Sequence, residues 1–169
     1  GRHFALKVLD TRQRTRNDAV TRFFAEARAA SQIEHPHIVD VVNFVTDGPY
    51  MVLVMELLRG ESLADRLLRG PLPLAEAVTI LSQVCDAVAA THAAGILHRD
   101  LKPANLMLIA QFGDPDFVKV CDFGFATLIG PRSVDEARSL TPARTLVGTP
   151  AYAAPERLRG DDKPDPRMD

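Results

Sequence analysis

The sequence predicts an α+β fold, in which short strands and helices occupy separate parts of a chain of 169 residues. Residues 3–9 alternate between two faces, as a strand requires, and residues 38–58 contain two β-branched, apolar runs separated by a turn. A helical repeat of apolar side chains begins at Leu74. Hydrophobic residues make up 46% of the chain, which is enough to form a buried core.

The first predicted strand, residues 3–9, places Lys7 on the same face as the small Ala5. A polar, arginine-rich stretch follows this strand. Asn17 is then a candidate N-cap for a helix that we expect to run to about Gln32. The two runs at residues 38–58 are joined by Asp47-Gly48-Pro49, which has turn chemistry, so they predict an antiparallel hairpin.

Helical spacing replaces strand alternation after the hairpin. A short helix is predicted from about Leu63, and Gly70 ends it. A long helix is predicted from an apolar stripe at helical spacing and should end near Gly95. The stripe consists of Leu74, Val78, Leu81, Cys85 and Val88. Two short strands, at residues 106–109 and 117–121, should be joined by a turn within residues 110–116.

Charge and cysteine content exclude several classes of function. The formal net charge of -2 gives no general attraction to nucleic acid, so no nucleic-acid partner is expected. We see no apolar run approaching the roughly 20 residues that span a bilayer, and we expect no membrane segment in this chain. Cys85 and Cys121 lack metal-ligand spacing, and the reducing cytoplasm is the expected location.

The densest chemical motif is His-Arg-Asp-Leu-Lys-Pro-Ala-Asn at residues 98–105, followed by Asp-Phe-Gly at 122–124 and Ala-Pro-Glu at 154–156. A chance match to the six fixed residues of the first block has a probability on the order of one in tens of millions per position. The pattern resembles the protein kinase family, whose motifs have known roles. The resemblance implies transfer of the γ-phosphate of ATP to serine or threonine hydroxyls of protein substrates.

The resemblance further implies a two-lobed kinase-like fold, with a partial small lobe at residues 1–57 and a partial large lobe at residues 58–169. A glycine-rich loop should precede Lys7, and further helices should follow Asp169. We therefore expect the chain to be a kinase domain truncated at both ends. Asp169 matches the family's aspartate that tethers the His-Arg-Asp backbone.

Phosphoryl transfer requires a carboxylate, a cation and magnesium ligands to converge on the phosphate. By resemblance, Asp100 orients the substrate hydroxyl and accepts its proton, and Lys102 steadies the transferred group. Asn105 and Asp122 would supply oxygen ligands for Mg²⁺, which prefers such hard donors.

Lys7 lies in Phe-Ala-Leu-Lys-Val, which is similar to the family strand whose lysine binds the α and β phosphates of ATP. Its implied partner is Glu26, in the middle of the predicted helix. A lone lysine on a strand is more commonly a solvated charge, but the spacing from Lys7 to Glu26 favours the pair.

Adenine would lie between the lobes, with Ala5 above it and Met107 below it. The segment at residues 54–58 resembles the family hinge, in which Met55 is the gatekeeper. The main chain at Glu56 and Leu58 would then bind the base. Taken alone, this segment reads as an ordinary core strand.

Two features resemble serine/threonine kinases, and the resemblance implies that acceptor specificity: Lys102 in the first motif, and Gly-Thr-Pro-Ala-Tyr at residues 148–152. Thr149 should hydrogen-bond near Asp100 and Lys102. The alternatives are a pseudokinase or scaffold that acts by binding, and an inactive fragment.

The segment before Thr149 is expected to switch the enzyme on when Thr145 is phosphorylated, with Thr141 as the second choice. Arg99 and Arg22 are the cations that would bind the phosphate, because a guanidinium pairs well with phosphate oxygens.

Overall fold

The computed structural model describes residues 1–10, 33–122, 127–128, 149–159 and 165–169. Within these ranges the chain combines small antiparallel sheets with helices, which confirms the α+β prediction. The helix predicted for residues 17–32 lies outside the described residues.

The first sheet contains β1 (Phe4–Asp10), β2 (Val41–Asp47) and β3 (Tyr50–Glu56), in the order β1-β3-β2 with antiparallel pairing. The predicted strand and hairpin are therefore confirmed. Gly48 has φ +54°, which glycine adopts readily, and it forms the predicted turn between β2 and β3.

The register of β1 on β3 sets the direction of the functional side chains. Ala5 pairs with Met55, and Lys7 pairs with Leu53, so all four share one face of the sheet. Leu53 is almost fully buried in the core on that face. The opposite face of β1 carries exposed apolar side chains, among them Leu6.

The second sheet contains β4 (Gly60–Ser62), β6 (Leu106–Gln111) and β7 (Asp114–Val120), in the order β4-β6-β7. A Cβ atom on Gly60 would lie 1.9 Å from the carbonyl oxygen of Leu108, so this pairing requires glycine. A further small sheet pairs β5 (Ile96–Leu97) with β8 (Thr127–Leu128).

The β6–β7 hairpin is tighter than predicted. Phe112 and Gly113 form a two-residue turn, with φ values of +53° and +83°, and Gln111 already pairs with Asp114. The sequence predicted a longer connection, residues 110–116, because Gly-Asp-Pro consists of residues that are common in loops.

The described helices include α1 (Leu63–Leu67), α2 (Leu74–Ala93) and α3 (Pro155–Leu158). Short 3₁₀ turns lie at Pro103–Asn105, Pro150–Tyr152 and Pro166–Met168. Helices α1 and α2 were predicted, and Gly95 with φ +73° follows the end of α2 as expected.

Helix α2 buries a different face from the stripe that predicted it. Its core side chains are Ile80, Val84, Ala87 and Thr91, whereas Leu74, Val78, Leu81 and Cys85 are exposed. The helix is apolar on both faces, so spacing alone could not select the packed one.

By length and composition alone, α2 could cross a membrane, so the expectation of no membrane segment in this chain stays a prediction. A core helix of a soluble protein passes the same test. Ile80 and Val84 of α2 lie in the main core, and Gln83 accepts a hydrogen bond of 2.8 Å from the Val118 amide in β7.

The segment at residues 37–40 joins the ends of the two larger sheets. The Val120 amide donates to the His37 carbonyl at 2.8 Å, and the Val39 amide donates to the Val120 carbonyl at 3.0 Å. The Glu56 amide donates to the Asp40 carbonyl, also at 3.0 Å. The ends of β3 and β7 are thus fixed close together, which positions the residues that follow them.

Candidate active site

The Asp100 carboxylate is the centre of the candidate site. It lies in the loop after β5, is only 8% exposed, and is surrounded by hydrogen-bond donors. Its Oδ2 accepts from Lys102 Nζ at 2.7 Å and from Asn105 Nδ2 at 3.1 Å. Its Oδ1 accepts from the Thr149 amide at 3.2 Å. These donors fix the direction of the carboxylate without a bound substrate.

Lys102 and Thr149 are brought together from distant parts of the chain. Lys102 Nζ donates to Thr149 Oγ1 at 2.8 Å while it also binds Asp100. Thr149 immediately precedes the 3₁₀ turn Pro150–Tyr152, which holds its backbone in place. The structure thus places Thr149 beside Asp100 and Lys102, where the resemblance located it.

Asn105 is oriented by Asp100. It ends the 3₁₀ turn Pro103–Asn105, and its Nδ2 donates to the Asp100 carbonyl at 2.9 Å. Because a carbonyl can only accept, this bond identifies the amide nitrogen and leaves the amide oxygen as the atom for a cation. The Cys121 amide donates to the Asn105 carbonyl at 2.9 Å, which brings Asp122 near Asn105.

Lys7 and Asp122 form an ion pair between β1 and the residue that follows Cys121. The predicted phosphate-binding cation and the predicted magnesium ligand therefore meet in one place. Both side chains are partly exposed, so a polar ligand can reach them. The predicted partner Glu26 lies outside the described residues.

The donor atoms of Asn105 and Asp122 fit Mg²⁺, which takes hard oxygen ligands from few protein groups and completes its shell with water and substrate phosphates. In the part of the chain that the structure describes, no group of three or more His, Cys, Asp or Glu side chains could hold a metal. A site that depends on substrate phosphates requires no such group.

The backbone before Asp100 is held by Asp169, as predicted. The Asp169 carboxylate is fully buried and accepts from the His98 amide at 2.8 Å and the Arg99 amide at 2.6 Å. His92 of α2 lies 3.0 Å from the same carboxylate. Arg99 has φ +66°, an uncommon value for a residue with a side chain, and the tether stabilises this conformation.

His98 connects the Asp100 loop to the segment that carries Asp122. Its ring is fully buried, and this burial lowers its pKa, which favours the neutral form. The Asp100 amide donates to His98 Nδ1 at 3.3 Å. The proton therefore lies on Nε2, which donates to the Cys121 carbonyl at 3.0 Å.

The residues predicted to contact adenine occupy both larger sheets. Ala5 and Met55 are directly opposed in the first sheet, and Met55 packs on its small core. Glu56 ends β3, and Leu58 follows it in the connection to β4. Met107 lies in β6 of the second sheet.

Arg157 belongs to this site, although the sequence analysis did not select it. It lies in α3, is 8% exposed, and donates to the Arg99 carbonyl at 2.7 Å. It thus links the segment after Ala-Pro-Glu to the Asp100 loop. The predicted activation residues Arg22, Thr141 and Thr145 lie outside the described residues.

The surroundings of Cys121 make its thiol unreactive. Burial, followed by the nearby carboxylates of Asp122 and Glu56, raises its pKa to about 12. At pH 8 about one such thiol in ten thousand is ionised, so iodoacetamide should spare Cys121 in the folded protein. Mass spectrometry of the alkylated peptides measures this.

The same protein in denaturant is the control, in which Cys121 should react fully. Exposed Cys85 provides an internal comparison. Equal rates of Cys121 alkylation in the folded and denatured protein would contradict the buried, protonated thiol.

Comparison with known proteins gives a consistent result. The family described as "Protein kinase domain" matches residues 1–169. The serine/threonine-protein kinase pkn2 of Myxococcus xanthus is 40% identical over 169 residues, which are 100% of this chain and 20% of pkn2. Pkn1 of the same organism is 43% identical over 160 residues, which are 95% of this chain and 22% of Pkn1.

The serine/threonine-protein kinase PknL of Mycobacterium tuberculosis is 40% identical over 169 residues, or 99% of this chain and 40% of PknL. The chain therefore spans from about a fifth to two fifths of the length of these relatives.

Proposed function

This chain belongs to the protein kinase family, and from that premise we propose that the protein carrying it is a serine/threonine kinase that transfers the γ-phosphate of ATP to protein hydroxyls. The observation that supports this most is the position of the Asp100 carboxylate. It is buried, held by Lys102, Asn105 and Thr149, and thus prepared to orient a hydroxyl.

Asp100 would accept a hydrogen bond from the substrate hydroxyl and take its proton as the bond from the hydroxyl oxygen to the γ-phosphorus forms and the bond from that phosphorus to the leaving ADP oxygen breaks. Lys102 contacts both Asp100 and Thr149, so its ammonium lies where negative charge of the transferred group must be balanced.

ATP and Mg²⁺ are the proposed ligands of the remaining residues, as in the family generally. Asn105 and Asp122 would hold the cation by their side-chain oxygens, and Mg²⁺ would neutralise phosphate charge. Lys7 would contact the phosphates, since its ammonium already faces Asp122.

Protein substrates with serine or threonine are the proposed partners. Lys102 and Thr149 occupy the space beside Asp100, which favours a short aliphatic hydroxyl over the longer phenol of tyrosine. We further propose that the chain is cytoplasmic.

The acceptor preference can be measured directly. The full-length protein with Mg·ATP should phosphorylate serine and threonine peptides at least about 100-fold faster than matched tyrosine peptides, because a misplaced hydroxyl loses in-line geometry. Alanine peptides of the same sequence are the control. Comparable labelling of tyrosine would overturn the proposed acceptor class.

A further inference from the structure

A buried lysine lies beside the proposed adenine site and takes no part in the chemistry above. Lys119 is near the end of β7, between the buried Val118 and Val120, and is itself only 4% exposed. Its Nζ donates to Glu56 Oε1 at 2.6 Å and to the Ile38 carbonyl at 3.1 Å.

Burial of a lysine is costly unless its charge is paired, so the partners of Lys119 are needed to stabilise its buried ammonium. The Glu56 carboxylate is the charged partner, and its Oε1 also accepts from the Asp40 amide at 2.8 Å. The ammonium of Lys119 therefore links three segments: β7, the connecting residues 37–40, and the end of β3.

The link lies next to the atoms that would bind the base. Glu56 is the residue whose main chain is proposed to contact adenine, and its amide is engaged by the Asp40 carbonyl at 3.0 Å. Lys119 is paired with Met107 across β6 and β7, so both project from the same face of the second sheet. Met107 is the proposed floor of the adenine site.

The bonds to its side chain and its amide hold the Cα atom of Glu56 in place, which limits the directions that its carbonyl, in the next peptide unit, can take. A fixed carbonyl accepts a hydrogen bond from the exocyclic amine of adenine, whereas guanine presents a carbonyl oxygen at that position. Two facing acceptors repel each other, so the fixed direction of this group discriminates between the bases.

We propose that Lys119 is a positioning residue for base selection: through the Glu56 carboxylate it fixes the Glu56 main chain so that the site takes adenine and rejects guanine. This inference rests on the proposed function, since it assumes that a purine nucleotide binds at Glu56. Lys119 donates to Glu56 and to the Ile38 carbonyl, neither of which belongs to the group of residues around Asp100, so we expect its effect on nucleotide binding.

The test compares Lys119→Met, Lys119→Arg and wild type in the full-length protein, using steady-state kinetics with ATP and with GTP on a serine peptide. Lys119→Met should raise KM for ATP about tenfold and narrow the ATP-to-GTP ratio of kcat/KM by a similar factor. Its kcat with ATP should stay within about twofold of wild type. Lys119→Arg keeps the charge and should retain most of the wild-type ATP-to-GTP ratio of kcat/KM.

Arg69→Met is the matched control, because Arg69 forms a two-bond ion pair with Glu61 at 2.5 and 2.6 Å on the exposed surface. Its loss should leave both KM values unchanged. If Lys119→Met lowers kcat/KM equally for ATP and GTP, or lowers Tm with unchanged KM, Lys119 has a structural role only and the proposal is overturned.

If Lys119→Met does not fold, the double variant Glu56→Gln, Lys119→Met removes both charges and leaves none buried alone. A folded double variant with a narrowed ATP-to-GTP ratio supports the proposal, and one with the wild-type ratio overturns it.

Calorimetric dissociation constants for ATP and GTP distinguish a failure of the proposed kinase function from a failure of the proposed role of Lys119. If the wild-type protein transfers no phosphate, the proposed function is wrong, and the ratio of these constants in each variant still decides the role of Lys119. A wild-type protein that binds neither nucleotide overturns both.

Discussion

Replacement of Asp100 by asparagine is expected to reduce kcat about 1,000-fold, because the amide can still accept a hydrogen bond but cannot take the proton of the substrate hydroxyl. Nucleotide binding should change by no more than about twofold, since the role of Asp100 arises during transfer. Asparagine also has nearly the shape of aspartate. The measurements are kcat on a serine peptide and the dissociation constant for Mg·ATP.

Asp47→Asn is the matched control, because this substitution makes the same chemical change at an exposed residue of the β2–β3 turn, away from the site. It should leave kcat and the dissociation constant unaltered. Near-normal turnover in Asp100→Asn would contradict the assignment of Asp100 and favour the scaffold interpretation.

Replacement of Asp122 by asparagine is expected to act on a different quantity. It removes the charged ligand proposed for Mg²⁺ and should lower kcat/KM for ATP about 1,000-fold, with much of the loss in nucleotide affinity. It also removes the anionic partner of Lys7, which is then attracted less strongly toward the cation site. Calorimetric titration with ATP measures the affinity.

The titration is repeated with magnesium removed by a chelator, which is the control. The difference in ATP affinity between Asp122→Asn and wild type should then largely disappear, because neither protein has the cation bound. An equal loss of affinity with and without magnesium would show that Asp122 acts on the fold and not on the metal.

Strands and helices with a clear period could be predicted from the sequence. β1 alternates between faces, β2 and β3 are separated by turn residues around Gly48, and α2 has a long apolar repeat. By contrast, β4, β5 and β8 are two or three residues long, and so short a segment has no measurable period. Their pairing depends on distant strands.

The packed face of α2 could not be predicted for a related reason. Both of its faces are apolar, and the choice is made by tertiary contacts such as the bond from Val118 to Gln83. Because both faces are apolar, α2 is also long and apolar enough to cross a membrane.

The catalytic part of the site could be located because Asp100, Lys102 and Asn105 lie within one short motif. Their hydrogen bonds are local in sequence, so the motif and the geometry coincide. Lys119 and Arg157 were missed because each contacts a residue about 60 positions away, Glu56 and Arg99 respectively. A single charged residue between Val118 and Val120 was the only signal for Lys119.

The most direct test of the central claim is a single-turnover measurement with the full-length protein in excess over γ-labelled Mg·ATP and a serine peptide. The account predicts that wild type moves the label to the peptide serine, and that Asp100→Asn binds the nucleotide but transfers the label about 1,000-fold more slowly. Binding of Mg·ATP by wild type without any transfer to the peptide would contradict the account and identify a nucleotide-binding scaffold.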